Sequence, residues 1–279
     1  MRKIFFFAFV AIALVSCRKK DDNGNEVNVS PNDYTLSADG LTLIKWTNSS
    51  TISIDMQGDS NLRKVNTIAE NAFKDLKSLR AITFSDNLKE IGSDAFSGTN
   101  LSDGVNFNSY SDVSFGERVF YRSNIRKVVL PNTKALSNRI FAECRNLKEV
   151  TFKRTGIIGD GAFSSCGTLE LVDLTDAGVT HIGKEAFANC KLLKKAILSV
   201  TMNLKTIGDK SFANCTSLEN VTILALYPPY LEGDPFSGIA KTKFPTFYIS
   251  RKPKNLLDIY KGDNNWKNLV DKIQLIPKS

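Results

Sequence analysis

Histidine is almost absent from this chain. Among 279 residues there is one, His181, against 37 Lys and Arg and 29 Asp and Glu. One imidazole is poor material for a metal centre, which gathers several His, Cys or carboxylate ligands. It also leaves only one place where a Ser–His or Cys–His nucleophile could be built. No HExxH, no GxSxG and no Gly-rich phosphate loop occurs. The acids are scattered and no pair of carboxylates stands out. Long apolar runs are missing too: the longest, residues 4–15, has twelve residues, where a membrane span needs about 20. These gaps predict no catalytic residues, no metal and no cofactor.

What is present begins with an address. Arg2 and Lys3 precede the apolar run, which reads as a signal peptide. It ends Leu14-Val15-Ser16-Cys17, which resembles the bacterial lipobox. The resemblance implies cleavage before Cys17 and lipidation of that cysteine, with two or more acyl chains giving firm anchorage. An ordinary signal peptide with an incidental cysteine is the other reading. Residues 18–35 are polar and aperiodic and are expected to form a flexible tether. The Lys20-Asp21-Asp22 run resembles a signal that sends some Gram-negative lipoproteins to the outer face of the outer membrane, which implies a lipoprotein displayed on the cell surface. The net charge of +8 falls by two when Arg2 and Lys3 leave. That balance suits acidic partners, and it equally describes the solvated faces of an exported protein.

The rest of the chain repeats one phrase. Phe73, Phe96, Phe120, Phe141, Phe163, Phe187, Phe212 and Phe236 recur at intervals of 21–25 residues. Five residues before each stands an apolar residue (Ile68, Ile91, Phe115, Leu136, Ile158, Ile182, Ile207, Leu231), followed by Gly in five cases. After seven of the eight comes an aliphatic residue and then an alternating run of LxxLxL form, as in Val150/Phe152 and Val172/Leu174. Alternation predicts a strand. The Ile-Gly word predicts a second extended piece, with Gly where a side chain would clash. Asp160 and Asp209 are placed to cap a short helical turn carrying the Phe. Each repeat is thus a coil of strand, turn, short helix and strand that cannot bury its own apolar face, so the coils stack. Eight coils at about 4.8 Å each span roughly 35–40 Å.

The pattern I-G-x-x-A-F-x-x-C-x-x-L-x-x-V, clearest at 158–174, 182–198 and 207–223, resembles the BspA-like leucine-rich repeats of bacterial surface proteins. The resemblance covers about residues 36–276. It implies an α/β leucine-rich-repeat solenoid, a right-handed stack of coils with capping segments. The expected organisation is a signal peptide over 1–17, the tether over 18–35, opening strands over 36–64, repeats over 65–240, and a closing strand and helix over 241–279. The repeats spanning 96–141 depart most from the pattern.

The spacing also bears on candidate sites. Cys144, Cys166, Cys190 and Cys215 all lie three residues after a repeat Phe. Equivalent positions in adjacent coils point the same way, whereas a disulfide needs facing side chains. Buried free thiols are therefore predicted. His181 precedes an inward-pointing Ile182 and so points outward, away from Cys190. If LxxLxL forms a concave sheet, its outward residues form a grid in which Lys127, Lys153, Asp173 and Lys195 are the candidate ligand-binding residues, with Arg80, Arg126, Lys148 and Lys194 one column over. Each is equally well read as a soluble strand residue. Aromatics interleaved with the basic positions, which nucleic-acid binding would want, are lacking. The expected function is a surface-anchored binding module, not an enzyme, that recognises a host or bacterial surface protein or an anionic glycan. The alternative is an accessory lipoprotein subunit of an outer-membrane uptake or envelope assembly.

Overall fold

The computed structural model describes residues 29–107, 112–198 and 204–277. The signal peptide, Cys17 and the tether up to residue 28 lie outside the described residues. The chain is a parallel β-solenoid, as the repeat predicts. Each coil contributes one short strand to an Ile-Gly side and one to an LxxLxL side. The Ile-Gly side consists of two five-stranded sheets, one running from Tyr34–Leu36 to Ser114–Phe115 and the other from Thr133–Leu136 to Tyr230–Leu231. The LxxLxL side is likewise two sheets, from Ser53–Asp55 to Glu149–Thr151 and from Leu171–Asp173 to Ile273–Leu275. Equivalent residues of neighbouring coils are in register, for example Ile158 with Ile182 and Ile182 with Ile207.

The repeat Phe residues fill the centre. Phe73, Phe96, Phe120, Phe141, Phe163, Phe187, Phe212 and Phe236 are all buried and stack as one column. Successive centroids are 4.7–5.6 Å apart and the planes lie within 15° of parallel. Such aromatic pairs add about 0.5–1.5 kcal/mol beyond area burial, so a column that recurs in every coil also fixes the register between coils. Trp46 and then Tyr34 continue it at the N-terminal end.

The third side differs from expectation. The words around each Phe form consecutive turns, not a short helix. In the first seven coils the residues two before and two after the Phe have positive φ: Asn71/Asp75, Asp94/Gly98, Arg118/Arg122, Arg139/Glu143, Gly161/Ser165, Glu185/Asn189 and Lys210/Asn214. This alternation turns every second N–H along the stack. The amides of Asn71, Phe73 and Asp75 donate to the carbonyls of Ser93, Ala95 and Ser97 in the next coil, at 2.8–3.0 Å, while those of Ala72, Lys74 and Leu76 close turns within their own coil. A helix would point its N–H groups along its own axis, not across to the carbonyls of the next coil. For the same reason Asp160 and Asp209 do not cap helices. Their carboxylates accept from the amides of Lys184 (2.8 Å) and Asp234 (3.1 Å) in the following coil.

The Gly of the Ile-Gly word is needed because backbones approach closely, not because of its φ. A Cβ on Gly92 would lie 2.5 Å from the Glu70 nitrogen, and one on Gly159 would lie 2.6 Å from the Leu136 oxygen.

Both ends are covered. Residues 30–35, expected to belong to the tether, are already part of the fold. Ser30 caps a 3-10 turn, Pro31–Asp33, and Tyr34–Leu36 pairs antiparallel with Thr42–Trp46. At the other end Thr246–Ile249 and Ile273–Leu275 extend the LxxLxL side, and the helix Leu256–Gly262 packs below them. Trp266 and Tyr260 close the core. The indole N–H donates to the Pro229 carbonyl at 2.8 Å, and the phenol donates to Ala225 at 3.3 Å. The Asn265 side chain accepts from the Leu231 amide at 2.5 Å and donates to the Leu231 carbonyl at 2.9 Å. It thereby takes the place of a further strand on the Ile-Gly side.

Candidate binding surface

On the LxxLxL side alternate residues enter the core and the others face out. One outward column runs Ser53, Ala81 and, further along, Lys127 and Glu149 in the first sheet, then Leu171, Lys195, Asn220 and Thr246 in the second. A second column in the second sheet runs Asp173, Ile197, Thr222, Tyr248 and Gln274. The backbone ladder fixes these positions, so the grid is rigid and its side chains are not required by the core.

The four predicted residues do not form one basic row. Lys127 and Lys195 occupy the same column, but Glu149 and Leu171 stand between them. The Lys127 ammonium lies 2.8 Å from the Glu149 carboxylate. Leu171, 46% exposed, leaves an apolar spot beside Lys195. Lys153 sits two residues past the end of its strand and is exposed. The Asp173 carboxylate turns back on its own loop, accepting from the Thr175 amide (2.9 Å) and hydroxyl (2.5 Å). The neighbouring basic column is interleaved with acids. Arg80 pairs with Asp103 at 3.3 Å, and Lys194 pairs with Glu170 at 2.8 Å. The hydrogen bond from Lys194 holds Glu170 below the usual carboxylate range and raises Lys194. The surface is a mixed-charge grid in which three cation–acid pairs, Arg80–Asp103, Lys127–Glu149 and Lys194–Glu170, link adjacent coils.

The thiols are where the repeat predicts. Cys144, Cys166, Cys190 and Cys215 are free and buried. Each Sγ donates to the carbonyl of the repeat Phe one coil back, at 3.0–3.3 Å. Burial pushes Cys144 and Cys215 up to about 12 and raises Cys166 and Cys190 well above the ordinary thiol range, so none is a nucleophile at neutral pH. His181 is half-buried on the Ile-Gly side. Its Nδ1 is 2.7 Å from the Thr180 hydroxyl, so His181 and Cys190 have different partners. Among the described residues no group of three or more His, Cys, Asp or Glu could hold a metal ion.

Sequence reasoning passed over a cleft of about 320 Å³ where the turn side meets the LxxLxL side, lined by Arg122, Ser123, Asn124, Glu143, Arg145 and Asn146. Tyr121 (2.7 Å) and Arg122 (3.0 and 3.2 Å) hydrogen-bond the Glu143 carboxylate. Those bonds hold it below its usual range, Arg122 contributing most. The Arg122 guanidinium also lies 4.9 Å from the Tyr121 ring centroid. The available signal was an Asn four or five residues after the Phe in three successive coils: Asn100, Asn124 and Asn146.

The stacked parallel strands, the in-register apolar ladders and the outward grid define a leucine-rich-repeat solenoid. The family model of the BspA type leucine rich repeat region matches in six copies across residues 46–155 and 113–228. The chain belongs to that family. Among solved structures it is similar to a leucine-rich repeat protein of T. pallidum, with 21% identity, 81% of this chain and 87% of that one covered, and a TM-score of 0.44. It is also similar to a leucine-rich cell surface protein of Faecalibacterium prausnitzii, with 16% identity, coverage of 90% and 95%, and a TM-score of 0.32. A leucine-rich repeat protein of Bacteroides ovatus is 17% identical, with coverage of 90% and 97% and a TM-score of 0.29. No curated protein matches the chain.

Proposed function

We propose that this chain is a surface-anchored lipoprotein binding module that recognises a protein or glycan partner through its LxxLxL side. The observation that carries the reading is the outward grid: rigid, broad, of mixed charge, and built from side chains the core does not use. Broad rigid solenoid sheets suit extended ligands. The anchor rests on Cys17 and the lipobox-like residues before it, with display on the outer membrane of a Gram-negative cell following from the residues after it. Lys127, Lys153, Asp173 and Lys195 are the residues assigned to contact the partner.

Protease shaving and antibody labelling of intact cells test the display. The full chain should be cut and labelled, and resistance to both removes the surface assignment. The binding face is tested by screening the full chain against extracellular-matrix proteins and glycans. Each hit is then remeasured with Lys127, Lys153 and Lys195 changed together to Glu. Reversal of three charges on one face should weaken binding about tenfold or more. Unaltered binding to every hit overturns the face assignment. Recovery of a stoichiometric membrane partner from detergent extracts would instead identify an accessory subunit of an envelope assembly.

A further inference from the structure

We infer that the cleft at Arg122, Asn124, Glu143, Arg145 and Asn146 is a binding site for an acidic saccharide chain lying along the solenoid axis. This site occupies a different edge of the coil from the LxxLxL grid, so the two assignments stand independently.

The floor of the cleft is an amide ladder. Asn124 donates one N–H to the Asn100 side-chain oxygen at 2.6 Å, and Asn146 donates one to the Asn124 side-chain oxygen. The remaining N–H of each of these two amides, and the Asn146 oxygen at the end of the row, have no partner among the described residues. The ladder stops one coil on, where Thr168 turns its hydroxyl onto the Arg145 and Leu147 carbonyls. The amides thus repeat over three coils at roughly the 4.8 Å coil spacing, with free donors on Asn124 and Asn146 and a free acceptor on Asn146. A pyranose in an extended β-1,4-linked chain advances by nearly that distance, so successive sugars meet equivalent amides. An extended peptide advances about 3.3 Å per residue and drifts out of step.

The wall supplies charge. Arg122 is fixed by Glu143 and by the Tyr121 ring, and it keeps guanidinium N–H groups that Glu143 does not take. The Arg145 side chain is 79% exposed and, among the described residues, its one ion-pair partner is the same carboxylate, at 3.5 Å. Two guanidinium groups share one carboxylate, which leaves a positive charge at the mouth. Guanidinium N–H pairs match a carboxylate in geometry as well as sign. Hydroxyls on the amides and a carboxylate on the arginines together describe a uronate chain.

Calorimetric titration of the full chain in detergent with a β-1,4-linked tetramannuronate tests the inference. Binding is expected, about tenfold or more weaker for the neutral mannotetraose and for Arg145→Gln or Asn146→Ala, and unchanged for the Lys127/Lys153/Lys195→Glu variant. Both cleft substitutions fall on exposed side chains, and an unchanged melting curve verifies that the variants are folded. Three results overturn the site: no binding of the tetramannuronate, equal binding by the cleft variants, or equal binding of a glutamate oligopeptide through the same residues. The last would make the ligand an acidic peptide.

Discussion

At the residue scale the protein is governed by how closely coils approach. Gly92 has no room for a methyl group, because the atoms a Cβ would strike are backbone atoms of the preceding coil and cannot rotate away. Gly92→Ala is therefore expected to destabilise by about 1–3 kcal/mol, read as a lowered urea midpoint, whereas Gly167→Ala, where nothing lies within 4 Å, should leave the midpoint nearly unchanged. Equal effects at the two positions would show that backbone freedom, not contact, sets the requirement. The thiols obey the same geometry. Burial pushes Cys144 and Cys215 up to about 12 and raises Cys166 and Cys190 well above the ordinary thiol range, so the four repeat cysteines should ignore a thiol reagent in native protein at neutral pH, and all four should react after denaturation. Reaction of any of them in the native state would contradict the packing.

At the element scale the turn side is the feature to test, because its ladder joins residues that local preference would not place at positive φ. Asp94 sits in that ladder, and its carboxylate is almost fully covered, with Arg118 bonded at 2.6 Å. The hydrogen bond from Arg118 holds Asp94 below the ordinary carboxylate range, against the opposing effect of burial. A depressed folded-state pKa contributes stability above the unfolded value, near pH 4, and that contribution disappears as pH falls through the folded value. Asp94→Asn, which still tolerates the left-handed backbone, should cost roughly 1.5–3 kcal/mol at pH 7. The deficit should shrink toward zero in thermal melts carried out well below pH 4. A deficit independent of pH would remove the ion pair as its cause.

At the scale of the whole molecule the array is quasi-one-dimensional: a coil touches its neighbours and little else. Local damage should therefore stay local. Trp266 is fully buried against the final coils and donates to Pro229. Trp266→Ala is expected to cost about 3–5 kcal/mol in those coils. Hydrogen exchange should speed up between about residues 204 and 250 while the first coils keep their protection. A uniform rise along the chain would show that the stack opens as one unit.

The sequence by itself determined the solenoid, the identity of the core and the state of the thiols. Ile158, Phe163, Cys166 and Leu169 recur at fixed offsets, and only stacked coils bury all of them. It could not determine the turn side. Arg118, Arg139, Glu185 and Lys210 adopt a left-handed backbone that costs about 1–2 kcal/mol for such residues. Nothing in their local sequence asks for it; the hydrogen bonds to the next coil do. The candidate surfaces divide in the same way. Lys127 and Lys195 were legible as outward residues because alternation decides facing. That Glu149 meets Lys127, and that Arg122, Asn124 and Asn146 gather around one cleft, depends on which residues of different coils become neighbours. The tertiary stack decides that, because register across coils is set by the buried ladder and not by the residues on the surface.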